Sequence, residues 1–518
     1  MSQPRSPNLL GQFVTAMYLR IGDWKGASNL RAPSVLLLSR GLYSLGQIAT
    51  IRVMTELVKP AELGRFYYIL SISSFIGLTL FNPMMFYVDR WCLKWWEERR
   101  IGEFLQSVVS YWVLAAFAAA GVLWAYQSIF PGKAPLSIPT LTMAVPLIVL
   151  AGTVTSVCIS IINICYKSQF LVGFMLNLQV WANLAGVSAA VLLFTKDAEY
   201  LLLGQSISAV IVTVIACSIL LRLGRVVTPP KKVERRMPVA WNEVWYFVWP
   251  MVLAQMLAWG QLQGLRVPLN ATGGPAMVAI FSVLGGVAIG VFGVFEFVFT
   301  NLYIPRFWSQ VHEKELDGTV ITEFMRFQWP YLIIFVCWFL GASGFLLNII
   351  VESQYRHYLG LVFLMAIGEM IRLAGHPFGY AIQADNKNKS FILPNGAAFL
   401  IGIGGTYFMG LVITPYLAAA IASITAFVIG ILANIRTVRQ KHQFQYPLYE
   451  MAISLALGIL LLLPVLLMAL IPDRHSVFVD VIVLGISIVM LIGTLLILPR
   501  VVQLFSLFYQ PIRYRRGL

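Results

Sequence analysis

The sequence predicts an all-α integral membrane protein of about fourteen transmembrane helices, built as two six-helix pseudo-repeats plus two C-terminal helices. Three observations predict it: an apolar and charge-poor composition, a succession of apolar runs of bilayer length, and an octapeptide that recurs six helices later.

Hydrophobic residues make up 59% of the 518 positions and charged residues only 11%, with a mean hydropathy of +0.80. Soluble domains carry about 25% charged residues, so this chain cannot cover itself for water. Its net charge of +15 does not indicate nucleic acid. The basic residues fall in short clusters between apolar runs and at the two ends, the pattern of segments facing an anionic cytoplasmic leaflet. The five cysteines show neither metal-ligand spacing nor a disulfide framework, and no cleaved signal peptide is apparent.

Crossing the hydrocarbon takes roughly 20 apolar residues at about 1.5 Å each. Runs of that kind fall at 34–55, 63–86, 104–129, 138–165, 170–194 and 200–223, then at 244–267, 276–303, 324–350, 358–381, 391–412 and 414–435. Two more, 451–471 and 477–498, follow a second basic loop. The segments follow: 1–32 as an N-terminal piece with the spacing of an interfacial helix, 33–223 as a first six-helix bundle, and 224–243 as a basic linker. Then come 244–437 as a second bundle, 438–498 as two additional helices, and 499–518 as a basic tail. Loops on one side collect Arg90, Lys94, Arg225, Lys231, Lys232, Arg436 and Arg439, with Arg513, Arg515 and Arg516 at the end. Loops on the other hold little beyond Lys59, Lys133, Lys196, Arg356 and Arg474. This asymmetry predicts that both termini are cytoplasmic, and the expected location is the plasma (inner) membrane.

Gly46-Gln47-Ile48-Ala49-Thr50-Ile51-Arg52-Val53 in the first run matches Gly260-Gln261-Leu262-Gln263-Gly264-Leu265-Arg266-Val267 in the seventh. Four positions are identical and two conservative. An even number of intervening helices gives the copies parallel topology, related by an axis along the membrane normal.

An ionisable group at the centre of a membrane helix costs roughly 2.5–3.5 kcal/mol on insertion scales, so each is a candidate site. Arg40 and Arg52 lie in the first run, Arg266 in the seventh, Glu296 in the eighth, and Glu369 with Arg372 in the tenth. Arg40, Ser44 and Gln47 share one helix face. So do Gln255, Trp259, Gln263 and Arg266, and likewise Glu369, Arg372, His376 and Tyr380. Guanidinium groups suit phosphate, since the planar fork donates two parallel hydrogen bonds and stays charged. Polar stripes on both halves suggest a hydrated, cationic interior between the bundles, with Gln47, Gln255, Gln261 and Trp259 as further candidate binding residues. Simpler readings stand beside these. Arg52 and Arg266 can snorkel to an interface, Glu369 and Arg372 can neutralise each other, and Glu296 can be a protonatable carboxylate or bond to a neighbouring helix. No phosphate-binding loop, metal-ligand histidine pattern or nucleophile–base constellation stands out, so no cofactor is expected.

The stretch from Arg40 to Arg90 resembles the start of the polysaccharide (Wzx-type) flippases of the multidrug/oligosaccharidyl-lipid/polysaccharide exporter superfamily. The resemblance rests on Gly46-Gln47…Arg52, on the loop Pro60-Ala61-Glu62-Leu63-Gly64-Arg65-Phe66-Tyr67, and on a second helix ending in Asp89-Arg90. It implies a lipid-linked oligosaccharide carried on a polyprenyl pyrophosphate, alternating access between V-shaped halves, a cationic cavity and coupling to an ion gradient. Arg40, Arg52, Arg266 and Arg372 are then substrate-binding, and Glu296 and Glu369 candidates for coupling protons. The arginine-rich second-helix segment of the related lipid II flippases is not seen. Partners implied are the membrane, the lipid-linked oligosaccharide, and a polysaccharide polymerase with its export machinery, and no nucleic acid. The rival expectations are a multidrug antiporter dependent on Glu296 or Glu369, and a membrane-embedded polymerase or ligase, which needs larger outward loops than these.

Overall fold

The computed structural model describes residues 31–98, 100–129, 140–166, 168–226, 241–314, 316–385, 388–469 and 477–514. The expected interfacial helix in residues 1–30 and the linker core at 227–240 lie outside the described residues. Each element is helical, and among the described residues there is no strand. A first group comprises α1 (Arg31–Leu57), α2 (Pro60–Ile76), α3 (Asn82–Glu97), α4 (Ile101–Ile129), α5 (Val145–Ile164), α6 (Gln169–Leu193) and α7 (Ala198–Val226). A second comprises α8 (Trp241–Leu262), α9 (Arg266–Lys314), α10 (Gly318–Ile350), the single turn α11 (Ser353–Arg356), α12 (Leu359–Ala374), α13 (His376–Ala384), α14 (Ile392–Gly410) and α15 (Pro415–Arg439). The last two helices are α16 (Leu448–Ala469) and α17 (Val477–Tyr514). Among the described residues, eleven helical stretches are long and apolar enough to cross a membrane. One of them, Val244–Phe297, covers two of the runs read from the sequence and is broken between them, at Gln263–Gly264 and again at Gly274. With α1 and α16, helices cover the fourteen runs read from the sequence. This is a multi-pass membrane protein. Below, the end of the bundle where α1 starts is the near face and the end where it finishes is the far face.

The second run extends beyond 63–86. α2 passes through a π-turn at Gly77–Phe81 into α3. α3 continues because it is amphipathic: Val88, Cys92 and Trp95 are buried while Phe86 and Leu93 are exposed.

The seventh run departs more. Its helix stops at Leu262, not Val267, because the N–H groups of Gln263 and Gly264 both donate to the Trp259 carbonyl and close the helix. Arg266 then opens α9, with Pro268 in its first turn, where a missing N–H costs nothing. A second break follows at Gly274, whose φ of 74° and ψ of 179° suit only glycine and precede Pro275. The octapeptide that is continuous helix in α1 is therefore a helix–turn–helix corner in its second copy.

α9 is the pivot of the fold. Val278, Ala279, Val283, Leu284, Val287, Ala288 and Phe292 are all 2% exposed or less, as expected of a helix surrounded by others. It packs against α1 and α2 on one side and against α12, α14 and α15 on the other. Glycines at 286, 290 and 293 turn toward α1, where a Cβ would lie 3.6 Å from Ile51, 3.7 Å from Gln47 and 3.1 Å from Arg40. Small residues let the two backbones approach, as at other membrane helix crossings. α16 and α17 lean on α10, where the Trp338 indole N–H donates to Ser487 at 3.1 Å.

At the far face the two groups touch backbone to backbone. A Cβ on Gly64 of α2 would sit 1.7 Å from the Pro275 carbonyl oxygen. Gly64→Ala should lower thermal stability by about 1–3 kcal/mol through overpacking. Gly344→Ala in α10, where the added methyl meets nothing within 4 Å, should change it by less than about 1 kcal/mol. Melting of the two purified variants side by side checks this, and equal losses would deny the contact.

Candidate functional site

Each intramembrane arginine is engaged: Arg40, Arg52 and Arg266 bond across the seam between the two groups, and Arg372 is held within the second group. Arg40 reaches from α1 to α9, where its Nη2 donates to the Gly293 carbonyl at 3.0 Å. Its guanidinium carbon lies 4.5 Å from the Tyr43 ring centre and 4.9 Å from that of Phe297. This aromatic sandwich holds a cation in place of water. Gln47, one turn on, donates to the Tyr43 hydroxyl at 3.0 Å. The Arg40 Nε is buried with no protein acceptor.

One turn further along α9 lies Glu296. Arg372 of α12 grips it with both terminal nitrogens, Nη1 to Oε1 at 3.3 Å and Nη2 to Oε2 at 2.6 Å. The same guanidinium holds Glu369 on its own helix, Nε to Oε2 at 2.9 Å. Glu369 and Arg372 do neutralise each other, as their i, i+3 spacing allows. Glu296, which had no partner in its own sequence neighbourhood, finds one on another helix. His376 at the start of α13 sets its Nε2 3.5 Å from Glu296 Oε1, while its Nδ1 is buried without a partner. Two carboxylates, a guanidinium and an imidazole thus meet beside Arg40.

At the far face, Arg52 donates from Nη1 to the Val351 carbonyl at 2.8 Å and from Nε to Glu56 at 3.1 Å. Val351 closes α10, so the cation sits at the negative end of that helix. Arg52 also lines an open depression of about 540 Å³ with Glu56, Glu352 and Arg356. Arg266 sends Nη1 to the Tyr67 carbonyl of α2 at 3.3 Å, its charge 5.5 Å from the Tyr67 ring. Trp259 donates to the Ser71 carbonyl at 2.9 Å, and Ser71 returns a bond to the Gln263 carbonyl at 2.5 Å. Neither arginine merely reaches outward to an interface; both cross the seam to a backbone carbonyl.

Behind this latch, Gln261, Gln263, Arg266, Ser282 and Glu369 line a cavity of about 140 Å³. Gln263 Oε1, Arg266 Nε and Ser282 Oγ are buried there without protein partners, which marks the space as polar enough for water. Gln261 bonds Asn395 at 3.3 Å. Gln255 is half-buried one turn before Trp259.

No family model matches the chain, and no curated protein matches it. Among solved structures it superposes on the lipid II flippase MurJ in an inward closed conformation, with a TM-score of 0.66 and 11% identity, over 93% of this chain and 99% of that one. It also superposes on a mutant of the Vibrio cholerae MATE transporter VcmN, with a TM-score of 0.52 and 12% identity, over 83% of this chain and 98% of that one. The chain has the fold of these two proteins.

On that fold, the structure gathers Arg40, Gln47, Glu296, Glu369 and Arg372 toward one level of the seam. It sets Arg52, Trp259, Gln261 and Arg266 at another. Sequence reasoning missed Tyr43, Phe297, Tyr67, Ser71 and Ser282. Tyr43 carried a signal, lying three residues after Arg40 on the same helix face. The Tyr67 carbonyl carried none, because any residue offers one.

Replacing Arg266 by Gln should weaken the far-face latch by the worth of one long charge-assisted hydrogen bond, opening that end about tenfold more often. A cysteine at Ser282, in a background stripped of native cysteines, reports this through its labelling rate by a small hydrophilic thiol reagent. An unchanged rate would show that Arg266 does not hold the seam shut.

Proposed function

We propose that this protein is a flippase that carries a polyprenyl-pyrophosphate-linked oligosaccharide from the cytoplasmic to the outer leaflet in building a surface polysaccharide. The observation that carries the reading is the set of four guanidinium groups, Arg40, Arg52 and Arg266 bonding across the seam between two packed helical groups and Arg372 bound to Glu296 beside Arg40. Permanently charged forks set at bilayer depth favour a phosphate over a neutral or cationic cargo. The likeness in fold to a lipid II flippase supports the same class of cargo.

In this reading 33–223 and 244–437 are the moving halves, 438–498 rides with the second half, and the near face is cytoplasmic in the plasma (inner) membrane. The state described is closed. Opening exchanges the resident partners of the arginines for cargo oxygens and water. The far-face latch consists of a few bonds, each worth about 0.5–3 kcal/mol net, so the gap between the two states is small enough for cargo binding to bias. Glutamines 47, 255 and 261 and Trp259 are then available to the sugar. In this cycle Glu296 and Glu369 couple transport to protons, and a polysaccharide polymerase with its export machinery receives the product.

Arg40→Ala, Arg52→Ala, Arg266→Ala and Arg372→Ala, made singly, should each abolish or severely cut surface glycan while protein levels hold. Deletion of the gene should make short lipid-linked glycans accumulate on the cytoplasmic side. Normal export from all four variants would end the reading. A second reading, an antiporter for amphipathic cations, is favoured by the two carboxylates at Glu296 and Glu369. It requires drug resistance on overexpression that is lost with either carboxylate and indifferent to the arginines.

A further inference from the structure

The two carboxylates on Arg372 are not equivalent. Glu369 lies one turn away on the same helix with its side chain 7% exposed, so it stays with Arg372 in any rigid movement of α12. Glu296 comes from α9 and is 31% exposed. It takes both terminal nitrogens of the guanidinium side by side, the fork geometry in which arginine accepts a phosphate or carboxylate ligand. His376 approaches its other side, and Arg40 lies one turn of α9 away with an unused buried Nε. The surroundings of the Glu296 carboxylate are those of an anion site, with the anion supplied by the protein.

We propose that Glu296 is a resident stand-in for the phosphate of the cargo, and that it yields Arg372 on taking up a proton. Anion loading and proton binding then occur together. The inference rests on the anionic-cargo reading above and specifies how its site is regulated. A proton from water adds to one carboxylate oxygen of Glu296. The neutral acid no longer makes a bidentate ion pair, and the phosphate oxygens replace it on the two terminal nitrogens of Arg372. On release of the anion the acid returns its proton and recaptures the guanidinium, so one proton is bound per anion loaded. The groups facing Glu296 are Arg372 and Glu369 from α12, His376 and Tyr380 from α13, and Arg40 from α1. Among the described residues, α2, α10, α14 and α15 place no oppositely charged side chain against it. Glu369 keeps Arg372 neutralised while Glu296 is protonated and before cargo arrives. That constant counter-charge is what makes the exchange at Glu296 affordable in a buried site.

The test uses the full-length protein in lipid nanodiscs, titrated calorimetrically with inorganic pyrophosphate from about pH 8 down to about pH 5.5, a range bracketing neutral histidine and carboxylate chemistry. Wild type should bind more tightly toward the acid end, by up to about tenfold per pH unit where one proton is taken up per anion. Pyrophosphate itself loses charge over this range, so the tightening comes from the protein. Glu296→Gln should bind at the alkaline end as tightly as wild type does in acid, with the pH dependence gone. His376→Gln should keep the wild-type slope. A Glu296→Gln variant with the wild-type profile, or a slope that disappears with His376 instead, overturns the inference and leaves the anionic-cargo reading in place. No pyrophosphate binding by wild type and Glu296→Gln at any pH overturns that reading and this one with it. Difference infrared spectra of the wild type read the same event without a mutation. Added pyrophosphate should produce a protonated-carboxyl band, and its absence also overturns the proposal.

Discussion

A guanidinium at bilayer depth cannot discharge itself as a carboxylic acid or an amine can, so the protein around it must supply partners. Arg372 meets that requirement with a carboxylate on each side, Glu369 from its own helix and Glu296 from α9. Either carboxylate alone balances the guanidinium charge, and losing both would leave it uncompensated in a medium that penalises it by several kcal/mol. The rest of the seam is arranged around this need. α9 must come close enough to offer Glu296 to α12 while turning a glycine-lined face to α1, so that Arg40 can lie on the Gly293 carbonyl. A bulkier face at 286, 290 and 293 would push α1 away and leave Arg40 without an acceptor.

The bonds within a group and those across the seam differ in kind. The Arg372 cluster lies wholly in the second group, where charged partners lock α12 to α9 through short bonds. The arginines that cross the seam, Arg40, Arg52 and Arg266, end on backbone carbonyls at 3.0, 2.8 and 3.3 Å, assisted at the far face by an indole and a hydroxyl. Charged pairs hold more strongly than single bonds to neutral acceptors. The second group is therefore braced internally by ion pairs, while the seam between the groups is closed by weaker bonds.

The crossings, the intramembrane charges and the Glu369–Arg372 pair were legible in the sequence because each depends on spacing along a single helix. Apolar length sets a span, and i, i+3 geometry sets a pair. The corner between α8 and α9 was hidden. Gly264 sits in an apolar run, and nothing local reveals that the Gln263 and Gly264 N–H groups turn back to Trp259. The octapeptide misled in the same place, since matching residues need not share a backbone path when a glycine permits a turn in one copy. The partner of Glu296 and the aromatic ring of Phe297 over Arg40 depend on which helices pack together, and one sequence without its fold does not say. Arg52 and Arg266 could be read from the sequence either as snorkelling or as lining an interior, because their position near helix ends is the same whether they meet lipid headgroups or a carbonyl across the seam.

An arginine resting on a backbone carbonyl is, taken alone, a structural arginine. Two details argue for more at Arg40 and Arg266. In both, the Nε is buried with no protein acceptor, although an unsatisfied buried donor costs about 1–3 kcal/mol. A side chain whose final role was to brace two helices would be expected to have each donor met, as Arg372 has its Nε and both terminal nitrogens met. Arg266 keeps its unused donor beside a polar cavity. In the proposed cycle a phosphate group, with several oxygens, would meet the donors of Arg40 and Arg266 that a single carbonyl leaves unmet. Arg372 differs because the competitor proposed for it, Glu296, is already seated on it.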